Sequence, residues 1–185
     1  MKKRKKARIR GGFTLAETLL AVLILLMVSA ITAAGIPAAK NAYEKVVLGS
    51  NARILLSTSL TALRDELGTA RDVEISGKTV SYYSAKTHAN SEIYLDSEPP
   101  TIMVRDYVGL EGSVIDPAGG TAQTTRRLVS DKAATRDLYV TYGSVTLNAD
   151  KSMVTFSNVE VRRRLGNSVV ASLDKLDIRL IANSI

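Results

Sequence analysis

The sequence predicts an α+β protein, a long amino-terminal helix packed on an antiparallel β-sheet head. Three observations lead there: an apolar run of helical length near the amino terminus, an amphipathic continuation of the same period, and short β-favouring segments separated by turn residues after Ala70. Helix first and strands afterwards is the order of a sheet laid against a helix. Four segments follow: a leader at 1-12, a membrane and assembly helix at 13-39, an amphipathic continuation at 40-69, and an exported head at 70-185.

The leader carries Lys2, Lys3, Arg4, Lys5, Lys6, Arg8 and Arg10, ends in Gly11-Gly12 and contains no acid. From Leu19 to Ala39 no residue is formally charged, a length that at about 1.5 Å per residue spans roughly 30 Å, the hydrocarbon thickness of a bilayer. Basic residues beside such a helix stay in the cytoplasm, so everything after Lys40 is expected to face outward. A secretory signal would have a shorter apolar region and a small-residue cleavage site, as in Ala34-Gly35-Ile36-Pro37-Ala38-Ala39. That reading leaves Glu17 unexplained, since an ionised side chain inside a membrane segment is costly.

Gly12, Phe13 and Glu17, followed by this aliphatic helix, resemble the type IV prepilin signal of pilins and pseudopilins. The resemblance covers about the first 40 residues. It implies that a prepilin peptidase cuts after Gly12 and methylates the new amino terminus, Phe13, while the apolar helix stays on the product. It also implies polymerisation with other pilin or pseudopilin subunits by an inner-membrane assembly platform driven by an ATPase. Many pilins staple a carboxy-terminal loop with a cysteine pair; this chain has no cysteine and departs from that pattern.

Glu17 has a physical reading of its own. Cutting at Gly12 would place a cationic amine on Phe13 at the helix start, with Glu17 four residues on and on the same face. A second copy shifted along the axis would bring its amine to this carboxylate, and unit charges about 4 Å apart attract by roughly 4 kcal/mol at an effective dielectric near 20. Desolvation removes part of that gain, so Glu17 is expected to register subunits more than to stabilise them. The function expected is a structural subunit, a minor pilin or pseudopilin, of a type IV pilus, competence pilus or type II secretion pseudopilus. The alternative is a membrane-anchored binding module that never polymerises.

Composition narrows the rest. The formal charge of +7 owes itself to the leader, which holds seven of the 25 basic residues; without it 18 basic residues face 18 acidic ones. Nucleic acid is therefore not the obvious partner. Arg126-Arg127 and Arg162-Arg163-Arg164 are where an outward head would meet DNA phosphates, or where it would protect a sheet edge. The single histidine, His88, sits in a polar stretch with no second histidine or cysteine to complete a nucleophilic or metal constellation. Asp150 lacks the spacing of a calcium loop and reads as turn chemistry. No enzyme activity, metal or cofactor is expected.

Element by element, Gly35-Ile36-Pro37 either bends the helix or ends it at the interface. Tyr43, Val47, Ile54, Leu56, Leu60, Leu63 and Leu67 read as one apolar face, with Arg64, Asp65 and Glu66 off it and Gly68 as the carboxy-terminal cap. Strands are predicted at 73-75 and 79-83 around a Ser76-Gly77-Lys78 turn, then at 92-95, 101-107, 138-147, 153-162 and 169-180. Asn148-Ala149-Asp150-Lys151 supplies a turn. In Tyr82-Tyr83, strand alternation buries one ring and exposes the other. The Gly-, Ala-, Thr- and Ser-rich stretch from Gly109 to Ala134 reads as a long exposed loop.

Overall fold

The structure, a computed structural model, describes residues 14-96, 100-108, 121-129 and 137-181. It is α+β, as expected: one helix and nine strands among those residues. The helix α1 runs Leu15–Leu67 without interruption. The chain divides into two compact units inside this helix, at Val46/Val47, so the second half of α1 belongs with the strands. Of the two readings of Gly35-Ile36-Pro37, the helix end does not occur. Pro37 lies within α1, where it costs the bond that a residue-37 amide would give to the Ala33 carbonyl, and the helix continues for 30 more residues.

The second unit holds two antiparallel sheets, where one was expected. The first is a five-stranded meander, β1 (Arg71–Ser76), β2 (Thr79–Ser84), β3 (Ala89–Leu95), β4 (Ile102–Val108) and β5 (Thr121–Arg127), in that spatial order. The second has β8 (Met153–Arg163) at its centre. On one side of it lie β6 (Leu138–Thr141) and β7 (Ser144–Leu147), and on the other β9 (Val169–Arg179). The turn at Asn148 is closed by its own side chain: Oδ1 accepts the amides of Ser152 and Met153, each at 2.8 Å. His88 lies in the β2–β3 turn, exposed, with φ 52°.

A single core joins the helix to both sheets. Leu55, Leu63 and Leu67 of α1 meet Val80, Tyr82, Ile93 and Val104 from the first sheet and Tyr142, Phe156, Leu176 and Ile178 from the second. Tyr142 and Phe156 pack edge to face at 5.1 Å. The helix face that is buried is Ala52, Leu55, Ser59, Leu63, Glu66 and Leu67, at helical spacings of three and four. The predicted face is corrected accordingly. Tyr43 and Ile54 are 70% and 56% exposed, Leu56 and Leu60 are half-buried, and only Leu63 and Leu67 belong to both sets. Counting apolar residues alone misplaced the stripe because two of its members, Ser59 and Glu66, are polar.

The 109-134 loop is also corrected in part: Thr121–Arg127 form the edge strand β5, paired antiparallel with β4. Gly109 to Gly120 and Ser130 to Ala134 lie outside the described residues. The predicted 138-147 strand is interrupted at Tyr142-Gly143, although its register against β8 carries straight through from Thr141↔Glu160 to Ser144↔Ser157. Opposite the break stands Asn158 with φ 53°, and Gly143 donates to the carbonyls of Ser157 (2.9 Å) and Asn158 (3.2 Å). The core-facing set changes phase here, from Val154 and Phe156 to Val159 and Val161. Tyr82 is buried as expected, whereas Tyr83 is half-buried and not exposed, because β2 is an inner strand buried at Val80, Ser81 and Tyr82 in succession.

Gly68 follows the helix with its amide bonded to the Arg64 carbonyl at 2.7 Å. Its φ is not left-handed; glycine is needed because a Cβ would lie 2.7 Å from that same oxygen. Gly68→Ala is expected to destabilise the head by about 1–3 kcal/mol, the usual cost of overpacking against atoms that cannot yield. Thermal unfolding of the two chains would show it; an unchanged midpoint would mean the helix end relaxes freely.

Candidate functional site: the exposed apolar helix

From Leu15 to Val46 every residue of α1 is exposed. The run Leu19-Leu20-Ala21-Val22-Leu23-Ile24-Leu25-Leu26-Met27-Val28 is apolar on all sides, so no polar stripe is left to face water. Hydroxyls just beyond it are satisfied by their own helix: Ser29 donates to the Leu25 carbonyl and Thr32 to that of Val28, each at 2.8 Å. Such back-bonding is what an apolar solvent demands, because the medium supplies no partner. The helix is long and apolar enough to cross a membrane.

The start of this helix is a capping box that the sequence reading passed over. Glu17 Oε2 accepts from the Thr14 amide at 2.8 Å and from its hydroxyl at 3.0 Å, and the Glu17 amide donates to Thr14 Oγ1 at 3.3 Å. Thr14-Leu15-Ala16-Glu17 is the Thr-x-x-Glu pattern in which two otherwise unpaired amides are met reciprocally. Glu17 is therefore partly satisfied within its own chain, through Oε2. Only one oxygen is used; Oε1 has no partner among the described residues. Gly12 and Phe13 lie outside the described residues.

At the other end α1 is tied to the first sheet through side chains that composition marked as solvent-facing. The Tyr82 hydroxyl donates to Glu66 Oε1 at 2.9 Å, and Arg126 Nη2 lies 3.1 Å from Glu66 Oε2. Arg126 Nε is 3.8 Å from Asp106 Oδ2, and Asp106 also accepts from Ser91 (2.7 Å) and Thr124 (3.1 Å). One guanidinium and three hydroxyls thus serve two buried carboxylates. Arg126 is engaged with both carboxylates while its side chain stays 41% exposed. Arg162 is likewise held, by Glu160 at 2.7 Å and by the Asn167 carbonyl at 3.2 Å. The signal that could have found the network was Glu66 itself, one residue before the apolar Leu67 and in helical phase with Leu63 and Ser59.

No protein-family model, curated protein or solved structure matches this chain. What the structure defines is a class: an α+β protein whose one long helix carries an uncovered apolar half able to span a membrane.

Two outcomes follow from the network. Arg126→Met leaves Glu66 and Asp106 buried without their cation and is expected to cost about 2 kcal/mol. That is less than a fully buried pair would lose, because Arg126 is 41% exposed and water screens it. Denaturant unfolding in detergent would measure it. Burial, with the Glu66 carboxylate close by, pushes the Tyr82 phenol well above its ordinary value, and burial does the same to Tyr142. Unfolded phenols ionise near pH 10 while these keep their protons, so the unfolded state binds fewer protons and stability falls above about pH 10. The expected slope is about 1.4 kcal/mol per pH unit per phenol. Tyr82→Phe should remove its share of that alkaline loss and leave that of Tyr142.

Proposed function

We propose that this chain is a structural, non-enzymatic subunit, of minor pilin or pseudopilin type, in a type IV pilus, competence pilus or type II secretion pseudopilus. The observation that carries the reading is the helix from Leu15 to Val46: exposed throughout, apolar on all sides from Leu19 to Val28, and charged before Lys40 only at Glu17. In the proposed cycle the basic leader holds the amino terminus inside. Prepilin peptidase cuts between Gly12 and Phe13 and methylates Phe13, and the product waits as a single-pass protein of the cytoplasmic membrane. An ATPase-driven platform then moves the helix from lipid into a fibre of like helices at the cell surface or in the periplasm.

Lipid already solvates the apolar surface, so assembly gains little from the hydrophobic effect and depends on packing and on polar contacts between helices. Glu17 Oε1 is the acceptor left for such a contact, with the Phe13 amine of a neighbouring subunit as its donor. The capping box and the registration therefore use different oxygens of one carboxylate. The lack of cysteine sets the head apart from the stapled pilins, and the reading rests on the amino-terminal signal and the helix.

The two roles of Glu17 separate experimentally. Glutamine keeps the capping box, since Glu and Gln both serve at that position, but removes the charge; alanine removes both. If the carboxylate registers subunits, Glu17→Gln and Glu17→Ala are both cleaved normally, and both fail to enter sheared surface fibres. Mass spectrometry of the amino terminus should find methylated Phe13 in the fibre fraction of the unaltered chain. Normal incorporation of Glu17→Gln would reduce Glu17 to a helix cap. A chain that stays in the membrane with its leader attached would be a tethered binding module instead.

A further inference from the structure

On the face of the second sheet turned away from the core, β6 and β8 line a polar cavity of about 360 Å³ together with the Lys78 and Asn167 turns. That volume lies within the roughly 300–1,000 Å³ of small-molecule sites. Asn158, Glu160 and Arg162 share it by strand alternation once the phase has shifted at Asn158. The rim is fixed from within: the Tyr139 hydroxyl donates to Asn167 Oδ1, the Tyr142 hydroxyl donates to the Lys78 carbonyl at 2.6 Å, and the Asn167 carbonyl receives Arg162. Two of the lining residues, Asn158 and Asn167, hold left-handed backbones with φ 53° and 49°. For a residue in the middle of a strand this conformation is costly, and such residues collect where a site demands them. Gly143 makes room for it, since a Cβ there would meet Asn158 Cβ at 3.2 Å.

The unused valences of the cavity are mixed. Among the described residues no partner is found for the Asn158 amide, Glu160 Oε1, Arg162 Nη2 or Lys78 Nζ. The lining thus offers both donors and acceptors, from an amide, a carboxylate and two cations. A phosphate needs donors alone and would meet Glu160 as a like charge. A peptide strand docks through a backbone edge or apolar pockets, whereas Asn158, Glu160 and Arg162 present polar side chains from the central strand β8. Vicinal hydroxyls, each able to donate and accept, match the set.

We infer that this cavity binds a saccharide, with Asn158, Glu160 and Arg162 reading adjacent ring hydroxyls and Lys78 closing one side. The inference is independent of whether the chain polymerises.

The test uses the full chain in a detergent without a sugar headgroup and saturation-transfer NMR with glucose, galactose, mannose and N-acetylglucosamine, plus inorganic phosphate as the anion control. At least one sugar is expected to show saturable transfer on millimolar titration. Asn158→Gly is the decisive variant. Glycine accepts the left-handed backbone, so the thermal midpoint should hold or rise, while loss of the amide should weaken sugar binding about tenfold or more. Absence of transfer from every sugar overturns the inference, as does transfer that Asn158→Gly leaves intact. Binding of phosphate in place of sugar reassigns the cavity to anions and overturns it equally.

Discussion

The physical constraint that dominates the structure is the exposed apolar surface of α1 before Val46. Twelve large apolar side chains from Leu15 to Ile36 are more than half exposed. At about 1.5–3 kcal/mol each, leaving them in water would cost on the order of 20 kcal/mol, more than the roughly 5–15 kcal/mol by which a domain is stable. Lipid or other apolar helices around this half would relieve that cost. The hydroxyls folded back on their own carbonyls and the capped amino end meet the same demand, because an apolar medium supplies no hydrogen-bond partners.

The second half of the helix solves the opposite problem. Beyond Val47 it is the spine of a core shared with two sheets, and its last buried turn carries Glu66 into that core. An isolated buried carboxylate is costly, and here the cost is offset by Tyr82 from β2 and by Arg126 from the edge strand β5. The network joins the helix end to both an inner and an edge strand of the first sheet. The second sheet is shaped by a different device, the phase change at Asn158, which keeps Val159 and Val161 in the core and turns Glu160 and Arg162 to the cavity.

The elements marked by strong local patterns were legible. The apolar helix, the Ser76-Gly77-Lys78 hairpin, the Asn148 turn and most strands are visible as periodicity and turn chemistry. Gly68 was legible as a helix end, though for a reason that sequence does not contain, the approach of the Arg64 carbonyl. Strand β5 was not legible, because Thr121–Arg127 carries no apolar alternation; Thr124 and Arg126, which join the Asp106–Glu66 network, are polar and exposed. The Thr14–Glu17 capping box was present as a pattern, yet attention to the charge of Glu17 concealed the hydroxyl three residues before it.

By itself, then, the sequence determined the membrane-length helix, its acidic start and the α+β order, since each depends only on residues near one another along the backbone, and composition alone set the balance of charge after residue 12. Tertiary structure alone decided the split into two sheets, the helix face that is buried, the partnering of Glu66 with Tyr82 and Arg126, and the assembly of the cavity around Asn158. Those outcomes depend on contacts between residues 16 to 64 positions apart and on one left-handed residue opposite a glycine. No local periodicity encodes them.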